Sequence, residues 1–270
     1  MIMHSYKHAA HAGNHGDVLK HAVLVLLMKH LQLQQEPFIY VDTHAGAGCY
    51  DLQKQKNREY AAGIERLWRR KDIPAPLSKY IHMVQQLNPA GELRNYPGSP
   101  WLVQQLMGNK DRAYLFELHD DEIKTLQMLF NTSSNIDIVH TDGLQALPSL
   151  LSPRQNQVLI LIDPAYKMKR DYVLAANALK DAYQCYAKGL YMVWYPVIER
   201  AQTQGLENEL RSSGIENILQ AELTVTPPSA PGMTGSGIIV INPPASLQEN
   251  LRQILPYLAE RLNQVHHGSY

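Results

Sequence analysis

The sequence predicts an α/β domain: a mostly parallel sheet covered by helices on both faces, carrying a small helical insertion. Three observations predict it. Near-continuous apolar runs, the pattern of strands buried on both faces, alternate with stretches of helical periodicity. Acidic residues stand at or just beyond the ends of four such runs, at Asp42, Glu117, Asp142 and Asp163. A polar segment, 51–96, separates the first strand and its turn from the others.

Residues 14–35 read as the first helix. Val18, Leu19, Ala22, Val23, Leu26, Leu27 and Leu31 recur at helical spacing. Asn14 is suited to cap it, with Asp17 in the first turn. Pro37 forces an extended backbone before the short strand Phe38-Ile39-Tyr40-Val41, which leads to Asp42. A Gly-rich turn follows, Asp42-Thr43-His44-Ala45-Gly46-Ala47-Gly48. Residues 51–96 carry Arg66, Arg69, Arg70 and Lys71 around Trp68, then helical signals at 77–87. Tyr96-Pro97-Gly98-Ser99-Pro100 is turn chemistry ahead of a helix over 100–108. The β signal returns at 113–116, 136–139, 158–162 and 190–195, with helices over 120–130, 143–151 and 171–187. Two β runs, 218–226 and 237–241, flank the loop 227–236, and a last helix covers about 246–263. This gives a seven-stranded unit made of 1–50 and 97–270, with 51–96 as an inserted helical subdomain.

Composition narrows the function classes. The chain has 270 residues, 45% of them apolar and 19% charged, which excludes disordered and fibrous classes. Two cysteines, Cys49 and Cys185, cannot build a disulfide scaffold or a four-thiolate zinc site. A reducing, cytoplasmic setting is the expectation. The longest apolar run, Ala22 to Met28, is far short of the ~20 residues a membrane span needs, and no signal-peptide pattern is present. Lys plus Arg and Asp plus Glu both total 25, so a nucleic-acid substrate would be held by local patches rather than a global field.

Ligands of open α/β sheets bind beyond the carboxyl ends of the strands, where the four acids stand. Each alone can be a helix cap. Four in succession, the first opening a Gly-rich turn, favour a nucleotide-like ligand. The turn is not a complete GxGxxG, and a carboxylate at Asp42 would repel a pyrophosphate. A sulfonium cofactor with an amino-acid tail tolerates it, which points from NAD toward S-adenosylmethionine, with Asp42 and Gly46 among its contacts. Glu117 is placed to hold ribose hydroxyls. It follows Asp42 by far more than the usual ~20 residues, and the excess matches the insertion. Asp142 is placed to accept from the cofactor's adenine amine.

Asp163-Pro164-Ala165-Tyr166 follows five apolar β residues and opens onto the same edge. An exocyclic base amine is a poor nucleophile, because its lone pair is delocalised into the ring. The Asp163 carboxylate and Pro164 carbonyl can accept its two N–H groups and aim its lone pair at a methyl group. Tyr166 can stack on the base, worth roughly 1–3 kcal/mol. A similar tetrapeptide, Asn242-Pro243-Pro244-Ala245, follows the last strand and lacks an aromatic. His4, His8, His11, His15 and His21 invite a metal reading, but no Cys or acid pair is spaced to complete a zinc site; no metal is expected, and the segment reads better as a cover over cofactor and base. Cys49 reads as a small packed residue rather than a nucleophile.

Several motifs together carry a family resemblance: His11-Ala12-Gly13-Asn14-His15 with Asp17-Val18-Leu19-Lys20-His21, the 42–48 turn, the 96–100 turn, Trp194-Tyr195-Pro196 and Gly232-Met233-Thr234. Over nearly its whole length the chain resembles the RlmJ-type 23S ribosomal RNA adenine-N6 methyltransferases. That resemblance implies a Rossmann-like class I methyltransferase fold with a small helical subdomain, and S-adenosylmethionine as cofactor with S-adenosylhomocysteine as product. It implies cofactor contacts from Lys20, His21, His44, Ser99, Glu117, Asp142, Gly143 and Asp163. It makes Asp163 the catalytic acid, with Pro164 and the base-stacking Tyr166 beside it, and brings Tyr6 and His8 to the substrate adenine; Lys167, directly after the motif, is a further substrate-binding candidate. One position departs: the family's second proline is Ala165 here, which loosens the loop.

The implied partner is 23S ribosomal RNA before full assembly into the subunit, with no membrane and a monomeric enzyme. Lys167, Lys169 and Arg170, or the insertion's Arg66, Arg69, Arg70 and Lys71, could hold RNA, and the target adenine would have to turn out of its stack. The alternatives are a DNA adenine-N6 methyltransferase, a non-catalytic nucleic-acid-binding protein linked to use of external DNA, and an NAD-dependent oxidoreductase.

Overall fold

A computed structural model describes residues 8–152 and 157–264. The helices are α1 (His15–Leu33), α2 (Ala75–Gln86), α3 (Ser99–Gln104), α4 (Asp120–Leu129), α5 (Gly143–Leu150), α6 (Lys169–Cys185), α7 (Arg200–Ser212) and α8 (Ala245–Leu262). The strands are β1 (Ile39–Asp42), β2 (Cys49–Asp51), β3 (Asn95–Pro97), β4 (Arg112–Phe116), β5 (Ile136–Val139), β6 (Val158–Ile162), β7 (Leu190–Val197), β8 (Ile218–Thr224) and β9 (Gly235–Ile241). Short 3-10 turns cover His8–Ala10 and three stretches between β2 and α2.

Seven strands form one sheet in the order β5-β4-β1-β6-β7-β9-β8. The first five run parallel, while β9 is antiparallel to both β7 and β8. The chain order reverses beside β1, the switch point where such sheets open a ligand crevice. This is the Rossmann-like arrangement expected from the alternating apolar runs. Side chains alternate across the sheet as a two-residue period requires: Tyr40, Leu159, Leu161 and Met192 join one buried cluster, and Val41, Ile160, Ile162 and Val193 the other.

Helix α1 starts where the sequence indicates: the Asn14 side chain accepts from the Asp17 amide at 3.1 Å. It packs on β7, β9, α2, α3 and α8 and is buried nearly all round, which suits its apolar body. Its first two turns differ. They bury His15, Asp17, Lys20 and His21, which a core accepts only when charges are paired.

Between β2 and β3 lie the 3-10 turns and α2, closed at the base by the antiparallel β2–β3 pair. Strands of three residues leave no periodic trace, so the sequence showed only the helix. Leu52, Tyr60, Ile64, Leu67, Trp68 and Tyr80 share one apolar cluster with α1. Helix α7 was absent from the sequence reading. Its buried stripe is only Thr203, Leu206 and Leu210, and Gly205 interrupts it. Helix α3 ends at Gln104, short of the expected 108. Among the described residues no helix is long and apolar enough to cross a membrane.

The start of α1 is locked to the 52–94 segment by backbone contact. The Ile64 amide donates to the Gly13 carbonyl at 2.9 Å. A Cβ on Gly63 would stand 2.1 Å from that same oxygen and 2.6 Å from the Asn14 carbonyl carbon. Gly63→Ala is therefore expected to destabilise by about 2 kcal/mol or more, since backbone cannot yield like a side chain. Gly205→Ala, in α7 with nothing within 4 Å, should instead stabilise by roughly 0.5–1 kcal/mol. Urea denaturation of the two variants checks the opposite signs.

Candidate active site

A cleft of about 290 Å³ opens at the carboxyl edge of the parallel strands. The loops after β1, β4, β5 and β6 line it, together with His8, Lys20, His21, Gly98 and Ser99. The register explains the convergence. Asp42 pairs with Leu115 on β4 and Leu161 on β6, so Glu117 and Asp163 lie two residues beyond it on either side.

The four strand-end acids do different work. Asp42 is fully buried and accepts from Tyr40 Oη at 2.8 Å, Ser99 Oγ at 2.7 Å and the His44 amide at 3.2 Å. Burial pushes its carboxyl up to about 6, against those three hydrogen bonds. It orders the turn from behind and does not line the cleft. Glu117 lines it, and pins the Gly-rich turn by accepting the Gly46 amide at 2.8 Å. Its other oxygen takes the Leu118 and His119 amides, both at 2.8 Å. Gly46 has φ +62°, and a Cβ there would collide with Tyr50 Oη. Asp142 lines the cleft and is also the N-cap of α5, accepting from the Leu144 amide at 2.9 Å. Gly143 lets that helix start approach β1, because a Cβ would lie 2.4 Å from the Thr43 carbonyl oxygen.

Asp163 anchors the other side of the cleft. Lys20 Nζ donates to its Oδ2 at 2.6 Å and to Asp17 Oδ1 at 2.8 Å. Burial pushes the Asp163 carboxyl up, and Lys20 pulls it only part of the way back, leaving it above the usual carboxylate value. Burial likewise opposes the Lys20 charge, but the two carboxylates outweigh it and hold the ammonium above its ordinary range. His21 Nδ1 pairs with Tyr96 Oη at 2.8 Å, and burial lowers its pKa to about 3, so it is neutral. Burial lowers His44 to about 4, and its Nδ1 meets Thr43 Oγ1 at 2.8 Å.

Of the residues singled out in the sequence, the cleft is lined by His8, Lys20, His21, His44, Gly46, Ser99, Glu117, Asp142, Gly143, Asp163, Pro164 and Lys167. Tyr166 is not among them. It is 5% exposed with φ +47°; its ring lies 4.5 Å from that of Tyr172, and its hydroxyl donates to the Trp194 carbonyl at 2.6 Å. Tyr6 and His4 lie outside the described residues. His11 pairs with Glu59 at 2.8 Å, and among the described residues no group of three or more His, Cys, Asp or Glu is placed to hold a metal ion. The second Pro-containing tetrapeptide is at the opposite edge. Strand β9 runs antiparallel, so Ile241 pairs with Tyr191 at the start of β7, and Asn242 donates to the Ala187 and Gly189 carbonyls. The sequence reading missed Tyr50, Leu118, Leu144 and Leu174 on the cleft wall and gave Asp17 only a helix-end role. Leu144 was signalled by its place beside Asp142-Gly143, and Asp17 by its helical spacing to Lys20 and His21.

The family model described as ribosomal RNA large subunit methyltransferase D, RlmJ, matches residues 35–270. The Haemophilus influenzae protein named ribosomal RNA large subunit methyltransferase J is 42% identical, over 99% of this chain and 97% of its own. The Escherichia coli protein of the same name is 43% identical, over 96% and 94%. The crystal structure of a Legionella pneumophila protein, LPL1258, superposes with a TM-score of 0.89 at 37% identity, over 94% of this chain and 95% of that one. With a parallel-edge cleft, an acid–lysine pair inside it and matches of this extent, the chain belongs to the RlmJ family of large-subunit ribosomal RNA methyltransferases.

Proposed function

We propose that this protein methylates N6 of a turned-out adenine in 23S ribosomal RNA, using S-adenosylmethionine and releasing S-adenosylhomocysteine. It would act in the cytoplasm as a monomer on RNA not yet fully assembled into the subunit. The observation that carries the reading is Asp163, paired with buried Lys20 and followed by the Pro164 carbonyl, in one cleft with the Glu117-pinned turn.

The residues present fit such a cofactor. Glu117 has its amide bonds already made and presents its remaining lone pairs to ribose hydroxyls. Asp142 Oδ2 accepts from a side-chain amide, Gln145 Nε2 at 3.1 Å, and can accept from an adenine amine as well. Lys20, His21, His44, Ser99 and Gly143 complete the wall, with Asp42 fixing the turn through Ser99 and the His44 amide. When bound, S-adenosylmethionine supplies the electrophilic methyl group.

The protein's own part is to make a poor nucleophile react. Asp163 and the Pro164 carbonyl accept the two N–H groups of N6, which disfavours the flat, conjugated amine and directs its lone pair. A protonated Asp163 would donate instead of accept, so the Lys20 ammonium that keeps it ionised is part of the chemistry. N6 sheds one proton after transfer, and the carboxylate already bonded to it is the base within reach. Catalysis is then positioning and electrostatics on a reactive cofactor. Tyr166 serves as the stacking aromatic once the 164–168 segment exchanges its bond to Trp194 for the base, and His8 approaches from the N-terminal side; the family resemblance gives Tyr6 a part in holding the same base. The segment 51–96 acts as an inserted subdomain beside this site.

Two cation groups compete for the RNA backbone. On the insertion, Arg70 is taken by Asp72 through two bonds of 2.6 and 2.5 Å, and Arg66 donates to the Arg261 and Asn263 carbonyls. They fasten the insertion to the end of α8. At the cleft rim, Lys167, Lys169 and Arg170 are exposed beside the exposed Met168, Val173, Leu174 and Ile198. Lys169 pairs with Glu199 at 3.0 Å, but a solvent-exposed pair of this kind is weak and yields to phosphate. Cations interleaved with apolar surface suit an unstacked strand, so the flanking RNA is assigned to this rim.

Labelled methyl transfer to protein-free 23S RNA, ribosomal subunits and DNA, followed by nucleoside mass spectrometry, tests the function. N6-methyladenosine in RNA is expected; label in DNA alone, or in neither, would contradict it. Asp163→Asn should lower kcat by about a hundredfold or more while S-adenosylhomocysteine binding by calorimetry is retained. Lys20→Met should move the acid limb of kcat to higher pH: the lysine lowers the Asp163 pKa, the ionised form is needed, and without the lysine ionisation comes later as pH rises. Arg170→Glu should raise KM for RNA by about three- to tenfold and flatten its salt dependence, with kcat kept, whereas Arg69→Glu on the insertion should change KM little.

A further inference from the structure

Resting on the proposed role of Asp163 and Lys20, we infer that Asp17 is the positioning residue of this active site, fixing Lys20 on Asp163 and His8 over the cleft through one buried carboxylate. Its side chain is 3% exposed and both oxygens are engaged. Oδ1 accepts from Lys20 Nζ at 2.8 Å. Oδ2 accepts from the Gly13 amide at 2.9 Å and faces His8 Nε2 at 3.0 Å.

An N-terminal acid that merely caps a helix stays in solvent and meets the helix's own amides. Asn14 already holds that role here, and Asp17 takes none of the α1 amides. Asp17 faces inward, where an unpaired carboxylate would be intolerable. Burial pushes its carboxyl up, but the hydrogen-bonded His8 ring and the Lys20 ammonium outweigh this and hold it well below the usual carboxylate range. The carboxylate touches both Lys20 and His8, and so acts on both sides of the cleft.

Toward α1, Asp17 and Lys20 are one turn apart, so the short aliphatic reach of the lysine is pulled into line with Asp163 across the cleft. Lys20 divides its charge between two carboxylates. It closes on Asp163 Oδ2 at 2.6 Å while Asp17 Oδ1, at 2.8 Å, fixes where its ammonium stands. Toward the N-terminal segment, the carboxylate selects the His8 form with a proton on Nε2 and fixes the ring plane, which meets Tyr50 edge-on at 5.1 Å. The Gly13 bond holds the backbone between them, where φ is +80°.

Asp17→Asn keeps an oxygen for the Gly13 amide and removes the charge. Steady-state kinetics with 23S RNA should show kcat lowered at least about tenfold, with S-adenosylhomocysteine affinity and KM for RNA within about threefold. In the double variant with Lys20→Met, the loss in kcat should fall well short of the product of the two single losses, because Asp17 acts in part through that lysine. Unchanged kcat in Asp17→Asn, losses that multiply in full, or a matching loss of S-adenosylhomocysteine affinity would each overturn the inference. Imidazole nitrogen NMR of the unsubstituted protein gives an independent readout: a proton on His8 Nε2 supports it, and a proton on Nδ1 alone overturns it. Absence of RNA methylation by the unsubstituted protein would overturn the functional reading and this inference together, whereas an active protein with an unaffected Asp17→Asn overturns only the inference.

Discussion

The site depends on one ion pair, Lys20 with Asp163, closed at 2.6 Å inside a largely buried cleft. A lone carboxylate there would take up a proton, and a lone ammonium would lose one. Together they stay charged, and the Asp17 carboxylate on the far side of the lysine gives three charged groups in line. The pair joins positions 143 residues apart, so it forms only when α1 has docked against the sheet. Folding and competence are thus the same event: the apolar body of α1 supplies the docking energy, and its first two turns deliver the polar groups.

The sheet supplies the rest by register. Parallel strands bring their carboxyl ends to one edge, and four of the five deposit one acid there. What each acid does depends on where its neighbours stand. Asp42 lies too deep to meet a ligand and spends its oxygens on Tyr40, Ser99 and the turn backbone. Its charge therefore shapes the Gly-rich turn rather than facing a bound molecule, which replaces the repulsion argument from sequence with one of support. Glu117 does both, holding three amides while remaining on the cleft wall.

Much of this was legible in the sequence because it is written in local periodicity. The Asn14 cap, the apolar strands and their terminal acids depend on neighbours a few residues away. The misses have the opposite character. Helix α7 buries too few side chains to print a stripe, and β2 and β3 are too short to alternate. The inward turn of Tyr166 depends on the Trp194 carbonyl 28 residues on, and the role of Asp17 depends on an acid beyond the whole first half of the sheet. The motif at 163–166 stood out over its counterpart at 242–245 by its aromatic, but the physical reason for choosing it is strand direction, which sequence alone does not fix.

The central claim is that an ionised Asp163 and the Pro164 carbonyl grip the target amine. A crystal structure with S-adenosylhomocysteine and a short adenine-containing RNA tests it most directly. The account predicts N6 within hydrogen-bond distance of both oxygens, with Lys20 still paired to Asp163. An adenine bound productively beside the cofactor sulfur, with N6 turned away from Asp163, would contradict it.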